Sequence, residues 1–456
     1  MNEVLNFFLS IARTPSILVA LVAVLGLILQ KKDSTEVISG GLKTFVGFLV
    51  LTGGSGVITD SLTPFGKMFM QAFHVQGVVP NNEAFTATAL TKYGSATALI
   101  LLVAMIVNVL LARVSHFKYI YLSGHVMINM SCMLAVLLAV AGFTEIPSII
   151  VGGTFLGLFD TIMPALIQPF VRKVTKSDEI AIAHTGDFGY LIAGLVAKVT
   201  GDSSKSTEDL HVSKKVSFLR DNTIAVTITM AVAYLIIAIF AGPTYVEKLS
   251  GGINYLIFAL IEAGSFSAGV YIMLAGVRMI LNELIPAFKG ISSKLVPNAK
   301  AGLDIPILFT FAPNAVIIGF FSSFVGGLVA TFLMVALHMT IVIPGVVAHF
   351  MCGGAAGVIG NSVGGRRGCI IGSFVHGLLI SFVPIILIPV LGHLGLGTAS
   401  YADADFGIVG SYVGYSGLLG GRSLIIAALV AALVVFFIVS IIFDKKEKAA
   451  KAAKEN

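Results

Sequence analysis

Apolar residues run in long blocks along this chain, and several blocks reach the roughly 20 residues that a helix needs to cross a bilayer. Residues 15–30, 96–112, 147–167, 227–242, 321–338 and 423–443 are the clearest, and each predicts a membrane-spanning helix. Lys31 and Lys32 follow the first block directly, whereas only Arg13 precedes it. Positive charge gathers on the cytoplasmic side of short loops, so the N-terminus is expected outside and Lys31 inside. The last block runs into a Lys-rich tail, which places the C-terminus inside as well. An outside start with an inside end requires an odd number of spans, and eleven fits 456 residues.

Other blocks are interrupted: "LTGGSGVITD" (51–60), "AHTGDFGY" (183–190), "IEAGSFSAG" (261–269) and "MCGGAAGVIGNSVGG" (351–365). Small-residue clusters at membrane depth mean close helix packing or backbone that leaves the helix. Backbone of the second kind is tolerated only inside protein or beside a water-filled cavity, and such breaks point to a transport site. The stretches 62–73 and 283–295 are amphipathic and read as interfacial rather than spanning. Charged connections follow at 171–180 and 201–222, neither long enough for a catalytic domain. A weak echo relates "GLK" (41–43) with "VPNNE" (79–83) to "GVR" (276–278) with "VPNAKAGLD" (296–304), which suggests a two-fold repeated architecture.

Composition agrees with this pattern. Hydrophobic residues make up 57% and charged residues 11%, with a mean hydropathy of +0.98, far from the balance of a soluble domain. The expected fold is therefore an all-α polytopic membrane protein, with residues 1–444 embedded and 445–456 a cytoplasmic Lys-rich tail. The net charge of +6 gathers in that tail and in short loops, so it reads as cytoplasmic charge rather than a nucleic-acid surface. The opening "MNEVLNFFLSIARTPS" lacks a basic n-region and a cleavage site, so no removable signal peptide is expected. Cys132, Cys352 and Cys369 stand at no metal-ligand spacing and read as buried small hydrophobes.

Ionisable groups inside membrane segments are costly and by default mark function. Here they are His125, Asp160, His184, Asp187, Glu262, Asp304, His338, His349 and His376. The last three read more simply as histidines satisfied by one backbone carbonyl. In "LSGHVMIN" (122–129), by contrast, Asn129 follows His125 at i+4, on the same helix face. Imidazole and carboxamide together offer mixed donors and acceptors that suit solute hydroxyls. His184, Thr185 and Asp187, the group Asn81, Asn82 and Glu83, and Asp304 repeat that chemistry with few basic residues, as a sugar-like solute would need. No phosphate loop and no metalloenzyme spacing is present, so neither ATP hydrolysis nor a metal or other cofactor is expected.

The segments "SGHVMIN" (123–129), "IAHTGDF" (182–188), "GVRMILNELIPAFKGISSKLVPNA" (276–299), "AGLDIPILFTFAPNAVIIGF" (301–320) and "LKTFVGFLVLTGGSGVIT" (42–59) resemble the ascorbate-type enzyme IIC permeases of the phosphoenolpyruvate-dependent sugar phosphotransferase system. That resemblance implies a homodimer of eleven-span chains in the bacterial cytoplasmic membrane. It also implies re-entrant hairpins, a transport core that moves elevator-fashion and a dimerising scaffold. The partners would be cytosolic IIB carrying a phosphocysteine, and IIA. Carried over by position, the binding residues are Gly54, Ser55, Asn82, Glu83, His125, Asn129, His184, Thr185 and Asp304. Asn129 and Thr185 stand where the pattern has glutamine, and Glu83 stands near an expected tyrosine. A permease for a neutral polyol and an ion-coupled carrier using Asp304 or Glu83 are the alternatives.

Overall fold

The computed structural model describes residues 11, 14–74, 77–78, 80, 82–210, 222–392 and 400–455. Some side chains within its helices, those of Ser55, Glu83 and His125 among them, lie outside the described part, as do Asn81 and residues 211–221 of the 201–222 connection. Helix α1 (Pro15–Leu29) opens on a proline at its first turn, where the missing N–H costs nothing. The Asp33 carboxylate then caps α2 (Ser34–Phe73) by accepting the Glu36 N–H at 2.9 Å. Helix α3 (Asn82–Val114) leads into strand β1 (Tyr119–Tyr121), α4 (Gly124–Val140) and α5 (Glu145–Thr175). Strand β2 (Ile180–Ile182) and α6 (Asp187–Thr200) follow, and then α7 (Asn222–Ala241), α8 (Pro243–Leu249) and α9 (Tyr255–Lys294). The chain ends through β3 (Lys300–Leu303), the short α10 (Pro306–Phe309), α11 (Pro313–Ala336), α12 (Val346–Gly392) and α13 (Ala404–Glu455).

Among the described residues, seven helices are long and apolar enough to cross a membrane, or eight if α7 and α8, bent by 113°, form one span. Two of the seven are not single rods. Gly365 (φ 56°) and Gly421 (φ 58°) break α12 and α13 in the left-handed region that favours glycine. Ser373 Oγ donates to the Gly353 carbonyl and Tyr412 Oη to that of Ala428. Partners 20 and 16 residues apart would stand about 30 and 24 Å apart in a straight helix, so each helix folds back on itself as a hairpin. At Gly365 a Cβ would also lie 2.1 Å from the Asp202 carbonyl oxygen.

Only two of the four expected interruptions are therefore real departures from helix, at 183–190 and at the end of 351–365. The stretches 51–60 and 261–269 lie within the unbroken 40-residue helices α2 and α9. Their glycines serve contact: a Cβ at Gly54 would meet Met273 N at 2.3 Å, and one at Gly269 would meet Ile58 N at 2.9 Å. The segments read as interfacial, 62–73 and 283–295, are largely the C-terminal parts of these same two helices. Proline at 64 and 286 does not end either helix, and packing of one helix on the other outweighs the local amphipathic signal. The Lys-rich tail likewise continues α13 to Glu455.

The unexpected element is a small parallel sheet of order β1-β3-β2. Its strands alternate between two apolar clusters. Ile120, Leu122, Ile182, Ala301 and Leu303 face one cluster, and Tyr121 and Ala183 face the other. A sheet among membrane helices must have its edges satisfied, because lipid offers no hydrogen bonds. Asn108 of α3 does this for β1, donating to the Tyr119 carbonyl at 3.1 Å and accepting the Tyr121 N–H at 3.0 Å. Gln168 of α5 donates to the Ile180 carbonyl at 3.0 Å on the other edge. Where β2 begins, burial would raise the Asp178 carboxyl, but bonds from Lys300, Arg172 and Gln168 outweigh it and hold the group below the usual carboxylate range. Asn108→Leu should cost roughly 2–6 kcal/mol, because two buried backbone groups lose partners worth about 1–3 kcal/mol each. Unfolding of the detergent-solubilised protein measures this, and an unchanged midpoint would mean that the β1 edge is satisfied in another way.

Candidate functional site

Parallel strands share one C-terminal end, and here each strand ends in a polar segment. Ser123 and His125 follow β1, His184 and Thr185 follow β2, and Asp304 follows β3. Parallel pairing thus gathers three of the sequence clusters at the seam between the two apolar clusters. Asp304 is half-buried at the central strand end, and its Oδ1 accepts the Ile305 N–H at 2.8 Å.

The group that joins these clusters is Asp403, just ahead of α13 and 3% exposed. Its Oδ2 accepts from Thr185 Oγ1 at 2.6 Å and from Asn82 Nδ2 at 3.0 Å, and its Oδ1 accepts from Cys352 Sγ at 3.4 Å. His184 Nε2 stands 4.0 Å from Oδ2, and its Nδ1 is 3.0 Å from the Tyr190 hydroxyl. Asn82 Oδ1 accepts the Ala402 N–H at 2.8 Å, so one carboxamide grips the 400–405 segment twice. Tyr401 Oη donates to the Asn129 carbonyl at 3.0 Å, with its ring stacked 4.1 Å from Phe406. Asp405 accepts the Asp187 and Phe188 N–H groups, each at 2.9 Å. It thereby caps α6, where orphan donors and the helix dipole favour a carboxylate.

Three of the nine binding positions read from the sequence bring described side chains into this network, Asn82, His184 and Thr185, and Asn129 meets it through its backbone carbonyl. Asp304 lies at the adjoining strand end. His125 has its backbone at the start of α4, but its side chain, like those of Ser55 and Glu83, is outside the described residues. Gly54 lies elsewhere, at the crossing of α2 and α9. Sequence reasoning missed Asp403, Asp405 and Tyr190. The signal was present in "YADAD" (401–405), two carboxylates flanking an alanine beside an apolar run.

The histidines read as single-carbonyl partners behave differently. His349 Nδ1 and His376 Nδ1 both approach the Ser323 hydroxyl, at 2.8 and 3.5 Å. The His376 ring stacks on Tyr190 at 5.8 Å, and His338 is exposed at the end of α11. Beside Ala402 lies a small cleft, with room for about one water-sized molecule, lined in part by Pro80, His349 and Ser381. Asp160, Asp187, Tyr121 and Ser123 bury side-chain oxygens that have no protein partner, a sign of a polar interior made to hold water or solute. No Lys or Arg joins the hydrogen bonds around Asp403 among the described residues.

A family model described as the sugar-specific permease component of the PTS, EIIC-GAT, matches residues 10–405. The chain is also similar to a protein of Mycoplasma pneumoniae named the ascorbate-specific PTS system EIIC component. The two are 26% identical over 431 residues, covering 82% of this chain and 64% of that relative, so the chain spans just under two thirds of the relative's length.

Proposed function

The chain belongs to the EIIC-GAT family of PTS sugar-specific permease components, and from that premise we propose that it takes up L-ascorbate or a closely related sugar acid. The solute would be delivered to a cytosolic phosphocysteine IIB protein, itself charged by IIA, and phosphorylated as it enters. A homodimer of eleven-span chains, N-terminus outside and C-terminus inside, with an elevator-like core, belongs to the same proposal. The observation that carries the solute class is the convergence of His184, Thr185, Asn82 and Asp403, with no Lys or Arg in their hydrogen bonds among the described residues. Imidazole, hydroxyl, carboxamide and carboxylate all match solute hydroxyls in a way that phosphate recognition would not. The similarity to an ascorbate-specific relative selects ascorbate from that class. Asp304 and Glu83, carried over by position, would contact the same solute.

A ligand panel on the purified protein tests this. Ascorbate at 100 times its Kd should stabilise the folded state by about 2.7 kcal/mol through mass action, and galactitol should not. The reverse result would move the assignment to a neutral polyol. Uptake that continues in cells lacking IIB and collapses with an uncoupler would overturn the phosphotransferase reading as a whole.

A further inference from the structure

Cys352 was read from the sequence as a buried small hydrophobe, and its surroundings give it a different character. Three side chains from separate segments converge on one point: His184 after β2, Cys352 in the first arm of α12 and Asp403 ahead of α13. One ligand atom from each lies within 4.8 Å of the others, and all three residues are buried. We propose that His184 Nε2, Cys352 Sγ and an Asp403 carboxylate oxygen form a binding site for a divalent cation of the zinc type. This goes beyond the solute reading and shares His184 and Asp403 with it, adding Cys352.

The donor set suits such an ion. Imidazole, thiolate and carboxylate are the ligands zinc takes, with three protein ligands and an open fourth position where exogenous molecules bind. Bond lengths of 2.0–2.3 Å in a tetrahedron put ligand atoms about 3.3–3.7 Å apart. Here Cys352 Sγ is 3.4 Å from Asp403 Oδ1, and the three ligand atoms lie within 4.8 Å of one another, so side-chain movements of about 1 Å would draw them to tetrahedral spacing. The outer partners are also in place. Tyr190 Oη at 3.0 Å from His184 Nδ1 can accept the ring proton there, which leaves the Nε2 lone pair for the ion. Thr185 and Asn82 hold the carboxylate by hydrogen bonds to Oδ2. On binding, the S–H bond of Cys352 breaks, sulfur keeps the electron pair for the metal, and the proton leaves to bulk water. Thiolate and carboxylate then balance the two positive charges, so the buried site carries no net charge.

Cobalt(II) titrated into the chelator-treated, full-length protein in detergent is the test, with no solute present. One equivalent per chain should bind, with a thiolate charge-transfer band and the intense visible bands of tetrahedral cobalt. Cys352→Ser should remove the charge-transfer band, while Cys132→Ser and Cys369→Ser leave it intact. A titration without that band, or a band that survives Cys352→Ser, overturns the proposal. A second readout needs no variant: Zn²⁺ should slow alkylation of Cys352 at least tenfold in the wild-type protein, and an unchanged rate also overturns it. Both results stand whether or not ascorbate proves to be the solute.

Discussion

His184→Ala is expected to weaken solute binding, with affinity falling by roughly 5- to 150-fold. Two effects act in that direction, and the first sets the range. The solute loses a hydrogen bond whose replacement by an apolar methyl leaves its own hydroxyl desolvated and unpaired, a penalty of about 1–3 kcal/mol. The Tyr190 hydroxyl also loses its partner at 3.0 Å and is free to turn into the pocket. His184→Gln should retain part of the affinity, because its carboxamide offers a donor and an acceptor in place of the imidazole pair. The measurement is ligand-induced thermal stabilisation beside a size-exclusion profile that reports the folded assembly. Wild-type stabilisation by ascorbate in the alanine variant would remove His184 from the site.

Asp403→Ala should act on stability as well as on binding. The Asp403 carboxylate accepts from Thr185, Asn82 and Cys352 at once. Its removal leaves three donors without an acceptor in a buried place. Each orphaned group costs about 1–3 kcal/mol, offset in part by no longer burying a carboxylate, for a net loss on the order of 3 kcal/mol. Asp403→Asn keeps one acceptor oxygen but presents an NH₂ group to one of the existing donors, so it should lie between wild type and alanine. Chemical unfolding in detergent orders the three proteins. If the alanine variant matches wild type in both midpoint and ligand response, Asp403 does not hold the site together.

The two variants differ in how visible their residues were beforehand. His184 stood out because an imidazole inside an apolar block is expensive wherever the chain folds. Asp403 carries the same cost, yet it stands next to a loop, where a charge is ordinary, and only its burial to 3% shows otherwise. The interruptions behave in the same way. Glycine and serine in 51–60 and in 183–190 look alike as strings. In the first the small residues let α9 approach, and in the second the chain leaves a strand for a helix. Composition cannot separate these cases, because the deciding quantity is what lies across from the glycine.

The sequence by itself determined the class of the protein and the chemistry of its polar groups, since both follow from residue types and from runs of about twenty neighbours. Apolar blocks dictate helices in a membrane, where backbone bonds must close locally. Imidazoles and carboxamides inside them dictate a polar interior. Which polar groups meet was decided by tertiary structure alone. Thr185 reaches Asp403 across 218 residues and Asn82 reaches it across 321, and no local pattern records such pairings. The strands that gather the site are only three or four residues long, too short for any periodicity to declare them. They exist because Asn108 and Gln168 complete their edges and two apolar clusters close over their faces.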